Sequence, residues 1–182
     1  MQQLYLMRHG QSQANADQVI AGSHDSPLSP VGVRQAEYAG DTAKSYFHFD
    51  LIVSSPMSRA RGTAEIVAKR TGYPTDKIWI IDDLRERNLG NVEGDTYDMH
   101  ARARKDGNYE DAENVPGVEP IAELHARMEN VLQQLRARPE QQILVVAHNG
   151  CGRMLKVVMR GQQPMDMYNQ PRTENAIIYP LN

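Results

Sequence analysis

Short apolar runs that alternate with helical patterns constrain this 182-residue chain more than any other feature. Runs of strand length stand at 4–7 (LYLM), 51–53 (LIV), 78–81 (IWII) and 143–147 (ILVVA), each bounded by polar or turn residues. Between them lie helix signals. Ser29 followed by Pro30 reads as an N-cap and a first helical position, opening a helix that runs to about Tyr46. Ser55-Pro56 repeats the signature, with Ala60, Ala64, Val67 and Ala68 on the helix and Gly72-Tyr73-Pro74 at its end. Ile121, Leu124, Met128, Val131, Leu132 and Leu135 recur at helical spacing, and a further helix passes through Met154, Leu155, Val158 and Met159. Residues 176–179 read as a last strand. Residues 83–118 are polar, with four glycines and one proline, and read as an excursion over the top of the domain with room for one short helix. The pattern predicts an α/β fold: a three-layer α/β/α sandwich with a mostly parallel sheet, one domain over residues 1–182.

Composition narrows the functional classes. A single cysteine, Cys151, excludes an intrachain disulfide and a thiolate-rich metal site. The net charge of -3 gives no global basic field for nucleic acid. The longest clean apolar run, 143–147, is far short of a membrane span. The chain enters its first strand pattern with no basic-then-apolar leader, so the expectation is a cytoplasmic protein with neither a membrane nor a nucleic-acid partner.

In parallel α/β sheets, ligands sit beyond the carboxyl ends of the strands. Those ends carry Arg8-His9-Gly10, then 54–59 with Arg59, then the charged stretch 83–87, then His148-Asn149-Gly150. Two arginines and two histidines are thus predicted to meet at one sheet edge with a carboxylate nearby. That set suits a phosphate monoester. Arg8 and Arg59 supply planar forks of N–H donors for the phosphoryl oxygens, and His148 supplies another donor. His9 can attack phosphorus if one ring nitrogen is unprotonated and the other donates to a fixed acceptor; neighbouring cations keep it neutral. A carboxylic acid then protonates the leaving oxygen. No metal or other cofactor is required by this chemistry. A cysteine nucleophile fits poorly, since the residue six positions after Cys151 is Val157, and no nucleotide-phosphate loop is present.

Five ordered segments carry a family resemblance: LMRHGQSQAN at 6–15, PLSPVGVRQA at 27–36, SSPMSRARGTAE at 54–65, LRERNLGNVEG at 84–94 and VVAHNG at 145–150. Together they resemble the histidine phosphatase superfamily, also called phosphoglycerate mutase-like. The resemblance implies that His9 is phosphorylated, that Arg8, Arg59 and His148 hold the phosphoryl group, that Glu86 is the proton donor, and that Asn15 contacts phosphate or substrate. Glu93 and Asp83 stand as alternatives for the acid, and Arg85 and Arg87 admit Glu86 to a surface ion-pair run instead. Asn149 divides between ligand contact and helix cap. Cys151 is expected as a packed residue, and His24 as part of a loop rimming the pocket.

Some positions depart from the family pattern. The usual glycine after the second histidine is Asn149, the tryptophan before Glu-Gly is Val92, and residues 18–25 (QVIAGSHD) replace the aromatic-rich segment of glycolytic mutases. These departures favour a phosphatase acting on a small phosphorylated substrate. A phosphoglycerate-type mutase and an idle phospho-ligand binding module remain as alternatives. The loop at 18–25 and the excursion, with Tyr97, Met99, His100, Arg102, Arg104 and Tyr109, are expected to shape the leaving-group pocket.

Overall fold

The computed structural model describes residues 2–96 and 113–181. The expectations placed on Tyr97, Met99, His100, Arg102, Arg104 and Tyr109 lie outside the described residues. The sheet contains β1 (Gln3–Arg8), β2 (Leu51–Ser54), β3 (Trp79–Ile80), β4 (Gln142–Ala147) and β5 (Ile178–Pro180), in the order β3-β2-β4-β1-β5. The first four are parallel, and β5 runs antiparallel to β1. Helices are α1 (Gln13–Ala16), α2 (Pro30–Tyr46), α3 (Ser58–Thr71), α4 (Ile121–Arg136) and α5 (Asn149–Met159).

Period-two alternation assigns side chains to the two faces of the sheet. Leu4, Leu6, Val53, Ile143 and Val145 pack with Leu124, Met128, Leu135, Met154 and Leu155 of α4 and α5. Met7, Ile52, Leu144 and Val146 pack with Ala39 and Ala43 of α2 and Ala60, Ala64 and Val67 of α3. Both faces are covered, so the strands read as unbroken apolar runs, as parallel sheets require. Each fully buried Leu, Val or Met contributes about 1.5–3 kcal/mol. Register then sets the site. Arg8 pairs with Ala147 and Ser54 with Val146, so β1, β2 and β4 end level with one another.

Three boundaries differ from the sequence expectation. Helix α3 starts at Ser58, not Pro56, and its N-cap residue Met57 offers no side-chain acceptor. The Ser55 hydroxyl accepts from Met57 N (3.3 Å) and faces His148 Nε2 (2.8 Å), so it is not available to cap. The capping acceptor comes from a distant loop instead: Asp25 Oδ1 takes the Ser58 N–H at 2.9 Å. Strand β3 is shortened by 3-10 turns on both sides, at Thr75–Lys77 and Asp82–Leu84. The last strand begins at Ile178 because Ala176, at φ +55°, breaks the extended run. Within the excursion, the described residues form 3-10 turns at Asp82–Leu84 and Gly90–Val92.

Candidate active site

The level strand ends place His9 and His148 side by side. His9 N donates to Ala147 O at 3.0 Å, extending the β1–β4 ladder by one residue, and the two imidazole rings lie 5.2 Å apart. His9 is buried, and its Nδ1 is 2.7 Å from the Gly10 carbonyl. A carbonyl can only accept, so Nδ1 carries the proton and Nε2 keeps its lone pair. Burial, and then the positive charges of Arg59 and Arg8, hold the His9 pKa well below the ordinary histidine value. Gly10 is required for this turn: a Cβ there would stand 2.4 Å from the Gly32 carbonyl oxygen of α2.

His148 is fully buried at the N-cap of α5. Its pKa is also well below the ordinary value, by burial first and then by His9, Arg59 and Arg8. With His148 neutral and Ser55 Oγ already accepting from Met57 N, the arrangement that gives the Ser55 proton an acceptor has it donate to His148 Nε2. Nδ1 then carries the imidazole proton and has no hydrogen-bond partner among the described residues.

Arg8, His9, Asn15, Arg59, Glu86 and Asn149 line one cavity of about 210 Å³. Arg59 sits in the first turn of α3 and is buried; its Nη1 and Nη2 donate to the His24 and Gly22 carbonyls, both at 2.8 Å. Arg8 Nη1 donates to Thr173 O at 3.2 Å. Ser12 is the N-cap of α1, and Asn15, inside the helix, closes a reciprocal box with it, its Oδ1 accepting from Ser12 N at 3.2 Å. Asn149 is the first residue of α5, and the cap position belongs to His148. The Asn149 Oδ1 accepts from Thr173 N at 3.2 Å.

The three candidate acids separate cleanly. Glu86 Oε2 accepts from Gly150 N (3.0 Å), and Oε1 from Arg87 N (2.9 Å) and Cys151 N (3.2 Å). Its carboxylate thus occupies the orphan N–H groups at the start of α5, beside the cavity. Gly150 makes the approach possible, since a Cβ there would meet Glu86 Oε1 at 2.5 Å. Glu93 is turned elsewhere: it accepts from Ser23 N, Ser23 Oγ and Leu89 N and pairs with His24 Nδ1 at 3.2 Å. It fastens the 22–24 loop and does not line the cavity. Asp83 accepts from Asn130 Nδ2 and is likewise absent from the cavity wall. His24 is exposed; the parts of its loop that reach the cavity are Ile20, Ala21 and Gly22.

The surface ion-pair reading of residues 85–87 holds for Arg85, which is exposed and 3.9 Å from Asp82, and fails for Arg87. Arg87 is buried, with Nη2 2.8 Å from both Glu113 oxygens, Nη1 2.8 Å from Tyr168 Oη and Nε 2.9 Å from Glu119 O. Behind it, Arg127 binds Glu119 in a two-pronged pair (2.6 and 2.8 Å) and donates to the Asp83 and Arg85 carbonyls that flank the Glu86 segment. Cys151 is packed here, its thiol pushed up to about 12 by burial, so it stays neutral. Arg153, Tyr168 and Arg172 also line the cavity and had no sequence signal beyond their proximity to a motif or the C-terminus. Among the described residues, no group of three His, Cys, Asp or Glu side chains is arranged to hold a metal, and no helix is long and apolar enough to cross a membrane.

A parallel sheet whose level strand ends bring two histidines and two arginines together defines a class, and sequence comparison places the chain within it. Residues 4–182 match the family model for the histidine phosphatase superfamily (branch 1), and the chain belongs to that family. It is 34% identical over 160 residues to "Uncharacterized phosphatase PhoE" of Bacillus subtilis, covering 87% of this chain and 78% of that one. It is equally identical over 160 residues to "Probable phosphoglycerate mutase GpmB" of Escherichia fergusonii, covering 83% of this chain and 73% of the relative. Its fold matches a mycobacterial glucosyl-3-phosphoglycerate phosphatase solved in complex with VO3, with a TM-score of 0.85, 28% identity, and 99% and 92% of the two chains covered.

Proposed function

We propose that the chain is a phosphomonoester hydrolase that works through a phosphohistidine on His9 and needs no metal. The observation that carries this reading is the His9 imidazole: buried, held neutral, with Nδ1 fixed on the Gly10 carbonyl and Nε2 unprotonated beside two arginines. Nε2 attacks phosphorus in line with the leaving oxygen. The P–O bond to the leaving group breaks as the N–P bond forms, and Glu86 gives its proton to the departing oxygen. Oε2 of Glu86, with a single backbone donor, keeps a lone pair on which to hold that proton. In the second half, the Glu86 carboxylate takes a proton from water while the water oxygen attacks phosphorus and the N–P bond breaks. Free phosphate leaves and both groups return to their starting states.

Arg8 and Arg59 neutralise the phosphoryl oxygens. Arg59 uses two of its five N–H bonds on the 22–24 loop and keeps three for the ligand. The orphaned Nδ1–H of His148 is the remaining donor, satisfied when a phosphoryl oxygen sits on His9. Fixed donors aimed where charge develops do the work that a metal ion does in other phosphoryl transfers. The mutase alternative differs in fate rather than in nucleophile: a mutase returns the phosphoryl group to the bound intermediate instead of to water.

The test is hydrolysis of 4-nitrophenyl phosphate in excess chelator, with acid-quench trapping of a phosphoenzyme. Wild type is expected to turn over and to trap label on His9; His9→Ala is expected to lose at least about a thousandfold in kcat and all of the label. Activity that survives His9→Ala overturns the mechanism. Isomerised product with little free phosphate, on adding a bisphosphate primer, selects the mutase.

A further inference from the structure

The backbone that carries His9 is gripped from three directions. Its own N–H donates to Ala147 O at 3.0 Å. Its carbonyl accepts from Asn175 Nδ2 at 2.8 Å. The N–H at the other end of that peptide, on Gly10, donates to Thr63 Oγ1 at 3.0 Å, and the Thr63 hydroxyl gives its proton to Arg59 O at 2.7 Å. Thr63 is fully buried in α3 and Asn175 is half-buried, and neither lines the cavity.

The Asn175 contact takes over where a strand stops. The antiparallel ladder between β1 and β5 ends at the pair Met7–Ile178, short of His9. Just ahead of β5 the chain turns at Ala176, whose φ of +55° is rare for any residue but glycine, and Asn175 meets Arg8 in an isolated parallel bridge. The Ala176 N–H donates to Arg8 O at 2.9 Å, and the Asn175 side chain serves the next carbonyl, that of His9. Backbone in a sparsely populated conformation persists where its surroundings over-determine it, and such residues cluster at functional sites.

These contacts fix the imidazole against its acceptor. Nδ1 of His9 stands 2.7 Å from Gly10 O, which belongs to the following peptide; that peptide is held separately, by Gln35 Oε1 on the Gln11 N–H at 2.8 Å. Asn175 and Thr63 hold the peptide between the ring and its acceptor, and with it ψ of His9 and φ of Gly10. Gly10 has no side chain to restrain that rotation. With the clamp removed, His9 swings off the Gly10 carbonyl, the ring proton distributes over both nitrogens, and Nε2 keeps its lone pair only part of the time. Resting on the hydrolase reading above, we infer that Asn175, with Thr63 as its counterpart, is a positioning residue for the nucleophile, acting through the His9–Gly10 peptide to keep the imidazole proton on Nδ1.

Asn175→Ala removes one side of the clamp at a half-buried position. Nitrophenolate release in a single turnover of 4-nitrophenyl phosphate is expected to slow about ten- to a hundredfold, the range for a slight misplacement of reacting groups. Inorganic phosphate, titrated calorimetrically, should bind with an unchanged Kd, because the Thr173, His24 and Gly22 carbonyls still hold Arg8 and Arg59. Asn175→Asp keeps the shape but lacks the donor and should do no better than Asn175→Ala. On α3, Thr63→Val should slow the same step, and Thr63→Ser, which keeps the hydroxyl, should recover it. Nitrogen NMR shifts of the His9 ring, identified by their loss in His9→Ala, should place the proton on Nδ1 in wild type. In Asn175→Ala and Thr63→Val they should report a mixture of tautomers. Ring shifts unchanged in Asn175→Ala, restoration by Asn175→Asp, or a rate loss carried wholly by the phosphate Kd overturns the inference. The ring shifts need no turnover. A chain that neither hydrolyses the ester nor traps phosphoenzyme therefore counts against the hydrolase reading, while the shifts still decide what Asn175 does.

Discussion

His9 and His148 are placed by backbone, whereas Glu86 is placed by side chains. The two histidines continue β1 and β4, and one ladder register, Arg8 opposite Ala147, brings them to a ring separation of 5.2 Å. The acid segment has no strand to extend. It rests on Arg127 reaching the Asp83 and Arg85 carbonyls, on Arg87 spanning Glu113 and Tyr168, and on the first N–H groups of α5 taking the Glu86 carboxylate. The rim loop at 22–25 is of the same kind, pinned by Arg59, Glu93 and the Asp25 cap of α3. Backbone ladders fix position through many weak, mutually supporting bonds. Ion-pair clamps fix it through few strong ones, and losing a single member exposes the rest.

The largest effect that sharpens this contrast comes from Glu86→Gln. The amide keeps the shape and part of the hydrogen bonding but cannot hand over a proton. With an alkyl phosphate, whose leaving oxygen needs protonation, kcat is expected to fall by about a thousandfold. With 4-nitrophenyl phosphate, whose leaving group departs as an anion, the first step should fall far less, and phosphohistidine should still be trapped on His9. Equal losses for both esters would mean that Glu86 acts on the phosphoryl half rather than on the leaving group.

The same division decides what could be read from the chain. Residues that end strands were legible, because an apolar run followed by Arg8-His9 or by His148 announces both a strand and what lies at its end. Arg59 was legible through its place in the first turn after Ser55-Pro56, although the helix itself opens two residues later, at Ser58. The clamps were not. Glu93 and Glu86 are seven residues apart in one polar segment, and only the fold shows that Ser23 and Leu89 take the first while Gly150 and Cys151 take the second. Arg87 looked like a solvated charge because its partners, Glu113 and Tyr168, lie 26 and 81 residues away. The one local clue was Gly150, whose missing Cβ makes room for the Glu86 carboxylate.

Arg127→Met tests whether the clamp, and not the sheet, holds the acid. The substitution keeps the apolar stem but leaves Glu119 and two carbonyls without their partner. A loss of about 2–3 kcal/mol in urea unfolding is expected, at the lower end for a buried pair because both side chains keep some solvent contact. Folded Arg127→Met should still bind inorganic phosphate at the strand ends while losing kcat on alkyl phosphates more than on 4-nitrophenyl phosphate. A variant as stable and as active as wild type would show that the acid segment holds itself.

The smallest effect bears on the strand-end half and comes from pH. Burial, reinforced by the arginines, holds the His9 pKa well below the ordinary value near 6.5, and His148 behaves alike. Above that value neither the native nor the unfolded chain binds a proton at these rings. Below it the unfolded chain does and the native chain does not, so stability is lost as pH falls, at about 1.4 kcal/mol per pH unit for each ring until the native ring also protonates. Replacing one ring should remove its share. Between pH 8 and pH 5 the stability of His9→Asn, measured in urea, should fall less than that of wild type, and the gap should open only below the ordinary histidine range. The acid limb of kcat/KM should lie below that range for the same reason. Parallel stability curves would mean that native His9 takes up its second proton over the same pH range as in the unfolded chain. Burial and the two arginines would then not be what keeps its Nε2 lone pair available for attack.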